Sequence, residues 1–479
     1  MIDRRLSAAL AAVGAVAVGA AIQVDDGYGR PAAFVWLTVG VGAVLLAVLL
    51  PTHRTIEAFL ARTLPGLLVA ALIGQLYALI RIPPARPFVA VPTWPPTFIL
   101  AATGVAIAAL AIAFARGAVR YVGIVAVPAI HLALGIWTIR LQPAPTPLID
   151  VFMFQRDAAA ALLAGTNPYS ITFPNPYPTL PYYGPGMVVD GRLTFGFVYP
   201  PLSVYLSAVG QWLGGDVRYA QLGAMTLAAV FMATARRGPI GALAAGLYLF
   251  TPRNLFVLEQ GWTEPFVVLF LAATVWCAAR LPRLAPFVLG LFLAAKQYAV
   301  LALPLALLVG RPPMSWRGLW RTVLPAALVA AAVTLPLALG DLPGFIRAVV
   351  TLQFVQPFRP EALSYLGLWA GPVVPGAPPP IAPFGTGVAF AVAALVGGLA
   401  LWRAPRTPSG FALGVAALFL AFFVLNKQAF ANYYFFVVGA LCVAVAAVEP
   451  PEPPTGAGRP WRTGRWGRDR STDAQEAVS

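Results

Sequence analysis

Three residues in this chain carry charge in unusually apolar surroundings. Asp150 and Asp157 belong to DVFMFQRDAAAALLAGTNPYS (150–170), a stretch with two acids and a base that follows five strongly apolar segments. Lys296 sits inside LFLAAKQYAVLALP, with the apolar run continuing on both sides. A positioned carboxylate can take a proton from a hydroxyl, help worth roughly 10²–10⁴-fold. A lysine deep in lipid costs about 2.5–3.5 kcal/mol on insertion scales, so snorkelling at a helix end explains Lys296 poorly. Asp150 also has a purely structural reading. It stands where a helix over 151–164 begins, Gly165 ends that helix, and an Asp at a helix start accepts backbone N–H bonds. Asp157, seven residues on, shares nearly the same face. Its simpler reading is a surface acid beside Arg156.

The elements that must position these groups are membrane helices. The 479 residues are 59% hydrophobic and 10% charged, with a mean hydropathy of +0.79. A soluble domain carries roughly 25% charged residues, so a water-soluble core is excluded. Repeated apolar runs near the roughly 20 residues needed to cross a bilayer indicate an all-α polytopic membrane protein. The net charge of +15 lies mostly in short loops and in the tail from Arg459 to Arg470. That pattern fits membrane topology rather than nucleic-acid binding. Cys277 and Cys442 have no metal or disulfide spacing, and His53 and His131 are isolated. Residues 1–23 read as a retained first helix rather than a cleaved signal. There is no P-loop, GxGxxG on a strand, HExxH or GxSxG elbow. No cofactor is expected, and a divalent metal is not indicated.

Helices are predicted over 6–23, 32–50, 65–81, 98–115, 120–139, 219–235, 239–251, 262–279, 286–296, 298–310, 322–340, 386–402, 410–425 and 433–448. This gives about 12–14 membrane helices, several of them short and Pro-containing, as is allowed where other protein covers the freed backbone. The stretch 197–213 opens on a double Pro and is placed in the interface. With the N-terminus inside, the inner loops hold His53, Arg54 and Arg62; Arg116 and Arg120; Arg236 and Arg237; Arg280 and Arg283; Arg311, Arg317 and Arg321; and Arg403 and Arg406. The outer side then holds Asp25 and Asp26, the long loops 140–218 and 341–385, the stretch 252–261, the Lys296 turn and 426–432. Ordered loops of such length are uncommon unless they work. The tail after Glu449 reads as disordered.

An Asp just after a membrane helix, a short helix ending ALLAGTNPY, a Tyr-rich loop and FVYPPLSVYL together resemble the first outer loop of the GT-C glycosyltransferases. The likeness is greatest to the polyprenyl-phosphate-mannose-dependent mannosyltransferases of the glycosyltransferase 87 type. Later features keep the family's order: the outer Pro turn in GLYLFTPRNLFVLEQGWTEPF, the short helix into a Lys in LFLAAKQYAVLALP, and the late outer loop NKQAFANYYFF. The resemblance covers about residues 145–448. Two departures stand out. The family's Asp usually follows the first membrane helix, whereas about four extra helices precede it here. Some relatives place a His in the late loop, where this chain has Asn432, Tyr433 and Tyr434.

The resemblance implies a GT-C-like bundle and an outward-facing site with a sugar donor on polyprenyl phosphate. It further implies an inverting transfer to a lipid or glycan acceptor, with mannose the first expectation for the sugar. The catalytic Asp maps onto Asp150, and Asp157 is the weaker second acid. Lys296 is the leading cation for the donor phosphate. Arg253, Lys427, Arg347 and Arg359 are further candidates, each with interface anchoring as its alternative. Glu259, Gln260, Trp262, Glu264, Tyr199 and Tyr433 are placed at the acceptor or sugar, with an interfacial aromatic belt as the alternative. The expected organisation is an N-terminal helical unit (1–140), a catalytic membrane core (141–448) and a basic cytoplasmic tail (449–479), in a bacterial plasma membrane. A lipid or lipid-sugar transporter is the competing expectation, although the matched broken repeats such proteins favour are not evident. A non-catalytic scaffold is the third.

Overall fold

Backbone N–H and C=O groups find no water in hydrocarbon, so apolar runs close their hydrogen bonds internally as helices. The computed structural model describes residues 5–51, 53–91, 94–142, 147, 149–180, 182–309, 316–370 and 382–449. In chain order these form α1 (Arg5–Asp25), α2 (Pro31–Leu49), α3 (Arg54–Arg81), α4 (Trp94–Phe114), α5 (Gly117–Leu141) and α6 (Asp150–Leu163). A small hairpin follows, β1 (Val188–Val189) and β2 (Arg192–Leu193). Next come α7 (Pro201–Gly214), α8 (Arg218–Ala235), α9 (Pro239–Leu249), α10 (Asn254–Glu259), α11 (Glu264–Arg280) and α12 (Ala285–Ala295). After the 3₁₀ segment Gln297–Leu308 lie α13 (Trp316–Gly340), α14 (Leu342–Phe345), the π turn Ile346–Thr351, α15 (Leu352–Val355), α16 (Tyr365–Ala370), α17 (Ala382–Arg403), α18 (Pro408–Val424) and α19 (Ala431–Ala446). The expected tail after 449 and the Pro-rich run 371–381 lie outside the described residues.

The protein is an all-α, multi-pass membrane protein. Among the described residues, seven helices are long and apolar enough to cross a bilayer by length and composition: α1 to α5, α13 and α17. The central helices are as short as their predicted runs, α12 with 11 residues and α19 with 16, and a first, small correction ends α9 at Leu249 rather than 251, leaving it 11. Every residue of α19 except Tyr433 is buried. A helix sheathed by other helices need not match the lipid thickness. The 14-residue α7 is likewise too short to cross. A second correction concerns α3, which starts at Arg54 rather than near 65 and carries Pro65 inside it. Arg54 and Arg62 therefore lie on a helix. The early start brings Glu57 to the head of α1, where it accepts the Arg5 and Leu6 N–H groups at 2.7 and 3.2 Å.

One apolar core runs from Ala8 on α1 to Val448 beyond α19. α1 and α19 lie antiparallel: Gly14 faces Leu441, and Gly27, just past α1, meets the backbone of Ala431. At the end where α1 begins, Arg236 pairs with Glu449 at 3.2 Å and Arg280 donates to the carbonyls of Thr234 and Ala235. At the other end the long loops meet. The Gly29 N–H bonds Glu361, and the Leu363 N–H bonds both Gly27 and Ala429. The five N-terminal helices thus share one core and one end with the rest of the chain.

Candidate functional site

The site is built from α6 outward. Gly165 (φ +79°) ends α6, with the Thr166 N–H closing on Ala161 at 2.8 Å. The helix begins at Asp150 itself, one residue earlier than predicted, and Ile149 occupies the cap position without a side-chain bond. Asp150 is therefore not the N-cap. Its Oδ1 accepts the Val151 N–H at 2.7 Å and its Oδ2 accepts the Tyr183 hydroxyl at 3.1 Å. The Tyr177 hydroxyl accepts the Asp150 N–H at 3.0 Å, and the two tyrosine rings stack with centroids 6.1 Å apart. Burial raises the Asp150 pKa above the ordinary carboxylate value; the Tyr183 hydroxyl, the Val151 N–H and the Arg359 charge oppose it.

A buried polar network fixes α6 in place. Gln155 donates to the Gly261 carbonyl and accepts from Ser207 and Gln221, both at 2.8 Å. Arg218 is fully buried. It pairs with Asp216 at 2.7 Å, donates to carbonyls at the end of α5, and lies over the Phe152 ring. Buried polar groups hold one geometry strongly when they are satisfied together.

The long loop 164–200 is tied down as well. Phe154, Tyr169, Phe173, Phe195 and Phe197 form a second apolar cluster with Ala348, Val349 and Leu352. The segment 342–355, within the expected outer loop 341–385, is a short α–π–α helix packed on the loop 164–200. α10 and α16 were not predicted; each has only six residues, too few for a periodic pattern.

Where these elements meet the bundle end, a cavity of about 720 Å³ opens. Eight of the residues singled out in the sequence line it: Asp150, Tyr199, Gln260, Trp262, Lys296, Arg359, Lys427 and Tyr433. They come from α6, the loop before α7, the α10–α11 turn, the break after α12, the loop after α15, and the α18–α19 region. The remaining wall includes the solvent-exposed apolar side chains Val300, Val350, Phe354 and Phe390.

Five expected site residues do not line the cavity. Asp157 pairs with its neighbour Arg156 at 2.7 Å; two helical turns separate it from Asp150 by about 10 Å along the axis, although both share a face. Glu264 is fully buried, 2.5 Å from Lys296 and 2.8 Å from the Asn432 amide. Glu259 turns to the Arg86 N–H at 2.8 Å, and burial pushes its carboxyl up to about 7. Arg253, held at positive φ, bonds Asp26 at 2.6 Å and the Pro83 carbonyl at 2.5 Å. Arg347 is exposed and reaches the Thr194 carbonyl at 3.4 Å.

The cations differ in what holds them. Lys296 is buried, with Glu264 and the Thr263 hydroxyl as partners at 2.5 and 2.8 Å and the Tyr199 ring at 4.7 Å. It sits at a chain break: α12 stops, Lys296 is extended, and the chain re-enters as a 3₁₀ helix. A 12-residue 3₁₀ run is unusually long. Lys427 instead donates only to the Phe354 and Gln356 carbonyls, at 3.0 and 2.7 Å. Among the described residues no carboxylate pairs with it, and burial lowers it to about 8. Arg359 pairs with Glu361 at 2.5 Å and lies 3.8 Å over the Tyr182 ring. Its backbone N–H bonds the Lys427 carbonyl, which ties the two chain segments together.

The sequence reading missed Asp26, Tyr28 and Arg86, which the N-terminal helices bring to the same wall. Their signal was weak, since Asp26 and Tyr28 share a short turn with no recognisable motif and Arg86 lies in an apolar stretch. Among the described residues no group of three or more His, Cys, Asp or Glu side chains is placed to hold a metal ion. No model of a known protein family, no curated protein and no solved structure matches this chain.

Proposed function

We propose that the protein is a membrane glycosyltransferase that moves a sugar, mannose first, from a polyprenyl-phosphate donor to a hydroxyl acceptor at the membrane surface, with inversion. The observation that carries this reading is one cavity holding a half-buried carboxylate, a cation with no carboxylate partner among the described residues, and solvent-exposed apolar wall residues. A donor with its tail in lipid and its sugar at the surface needs such a three-sided site. The GT-C resemblance of the loop sequences points the same way.

In the proposed step the acceptor oxygen attacks the anomeric carbon. The bond from that carbon to the phosphate oxygen breaks, and the electron pair leaves with the polyprenyl phosphate. The acceptor proton passes to Asp150. A single base without a second carboxylate nucleophile suits direct displacement. The Tyr183 and Val151 hydrogen bonds hold the carboxylate ionised and oriented, while its burial keeps it basic.

The phosphate role falls best to Lys427, since Arg359 is already paired with Glu361. Lys296 is already neutralised by Glu264, so its charge has less to give a leaving group. Preorganised, uncompensated charge does most for a developing anion. We assign Lys296 to the sugar side, where Tyr199 and Tyr433 flank it. The cavity end of the bundle would face outward, with both chain termini in the cytoplasm.

The test is a reconstituted assay with radiolabelled polyprenyl-phosphate sugars. Product is expected with the native protein, and a loss of at least about 10²-fold with Asp150→Asn at unchanged donor binding. Full activity in Asp150→Asn would remove the base. Movement of the lipid across the bilayer with no glycosidic product would favour a transporter instead.

A further inference from the structure

The cavity has a second polar end, built by the α10 region together with Asp26 and Arg86 from the N-terminal part of the chain. Asp26, in the turn after α1, bonds Arg253 at 2.6 Å and lies 3.6 Å from the Arg86 guanidinium. Arg86 stands 5.2 Å over the Phe256 ring, and the Trp262 ring meets Phe256 edge-on at 5.5 Å. Two carboxylates (Asp26, Glu259) and two guanidinium groups (Arg86, Arg253) gather here, with Asp26 beside both guanidinium groups, whereas no carboxylate among the described residues pairs with Lys427. Gln260 lines this end at 5% exposure, and its side-chain amide has no hydrogen-bond partner among the described residues. Buried amides are normally bonded, so an unpartnered one aimed into a cavity calls for a ligand.

We infer that this end is a subsite for a neutral, polyhydroxylated group, the acceptor glycan or polyol. The chemistry matches in each part. Asp26 accepts from hydroxyls, Arg86 donates to them, the Gln260 amide does both, and the half-exposed Trp262 offers a ring face to the C–H side of a sugar. Asp26, paired with both guanidinium groups, offsets their pull on a phosphate. The helices that precede the family-like region are then a specificity element for the acceptor. This rests on the reading of the cavity as a transfer site.

The experiment uses the full chain in lipid nanodiscs and two probes, methyl α-D-mannopyranoside and farnesyl phosphate, with dissociation constants from ligand-observed NMR. Gln260→Ala and Arg86→Gln are expected to weaken the sugar by about tenfold or more and to leave farnesyl phosphate within about twofold. Lys427→Gln should do the reverse. Gln260→Ala guards against misfolding, because that side chain bonds nothing in the structure. Unchanged sugar binding in both variants overturns the subsite. So does a parallel loss of both probes, the mark of a merely structural role. If no donor supports transfer but the split between probes persists, the sugar site stands and the transferase reading falls.

Discussion

Lys296 Nζ lies 2.5 Å from Glu264 Oε1, with both side chains almost wholly out of solvent. The pair ties the break after α12 to the head of α11, and Asn432 on α19 bonds the same carboxylate oxygen at 2.8 Å. Three elements converge on one carboxylate. Removing one member of a buried pair leaves an uncompensated charge, at a cost of about 3–5 kcal/mol, whereas replacing both by apolar groups is often tolerated. Lys296→Met alone should therefore lower the melting temperature sharply. The double variant Lys296→Met with Glu264→Leu should recover most of it. Thermal unfolding in nanodiscs checks this, and equal melting of the single and double variants would contradict the pairing.

The Tyr183 hydroxyl favours ionised Asp150, and burial opposes it. Tyr183→Phe removes the lowering influence, so the Asp150 pKa rises. Activity, which needs the carboxylate, should then fall away at a higher pH on the acid side. A hydrogen bond to a charged group is worth about 1.5–3 kcal/mol, so the acid limb should move up by about one pH unit or more. A pH–rate profile of the two proteins decides the matter, and an unmoved acid limb would count against Asp150 as the base.

Lys427 carries its proton below about 8 and loses it above. Donor affinity should weaken as pH rises through that value. Lys427→Arg keeps the charge at every accessible pH, so the alkaline fall in affinity should flatten. Donor KM measured between pH 6 and 10 would show this, and an identical alkaline limb in Lys427→Arg would assign that limb to another group.

Gly27 has φ +84°, and a Cβ there would come 2.2 Å from the Ala431 N. No side chain fits without moving the α1–α2 turn off α19. Gly27→Ala should cost at least about 1–3 kcal/mol from backbone strain alone. Because the turn carries Asp26 and Tyr28 to the cavity wall, activity should fall beyond what stability explains. Melting temperature and residual activity, measured together, check both parts.

Much of the architecture was legible because lipid leaves the backbone few choices. Apolar runs of sufficient length had to be helices, and most boundaries fell within a few residues of the pattern. α6, its Gly165 stop and the break at Lys296 could also be read from local grammar, since caps and stops are set by neighbouring residues. The deviations are local: α3 starts at Arg54, well before the predicted 65, and α10 and α16, with six residues each, are too short to carry a periodic pattern.

The sequence by itself determined the class of the molecule, the face on which the polar loops gather, and the charged residues that stand out from their surroundings. Only the tertiary structure decided which of those charges meet. It took Asp157, Glu259, Glu264, Arg253 and Arg347 off the cavity wall and put Asp26, Tyr28 and Arg86 on it. It also gave Lys296 a partner and left Lys427 without one. Partners in a helical bundle are set by how distant elements pack, over separations such as the 168 residues between Glu264 and Asn432. A free charge and a paired one look the same along the chain, because pairing is a property of distance in space.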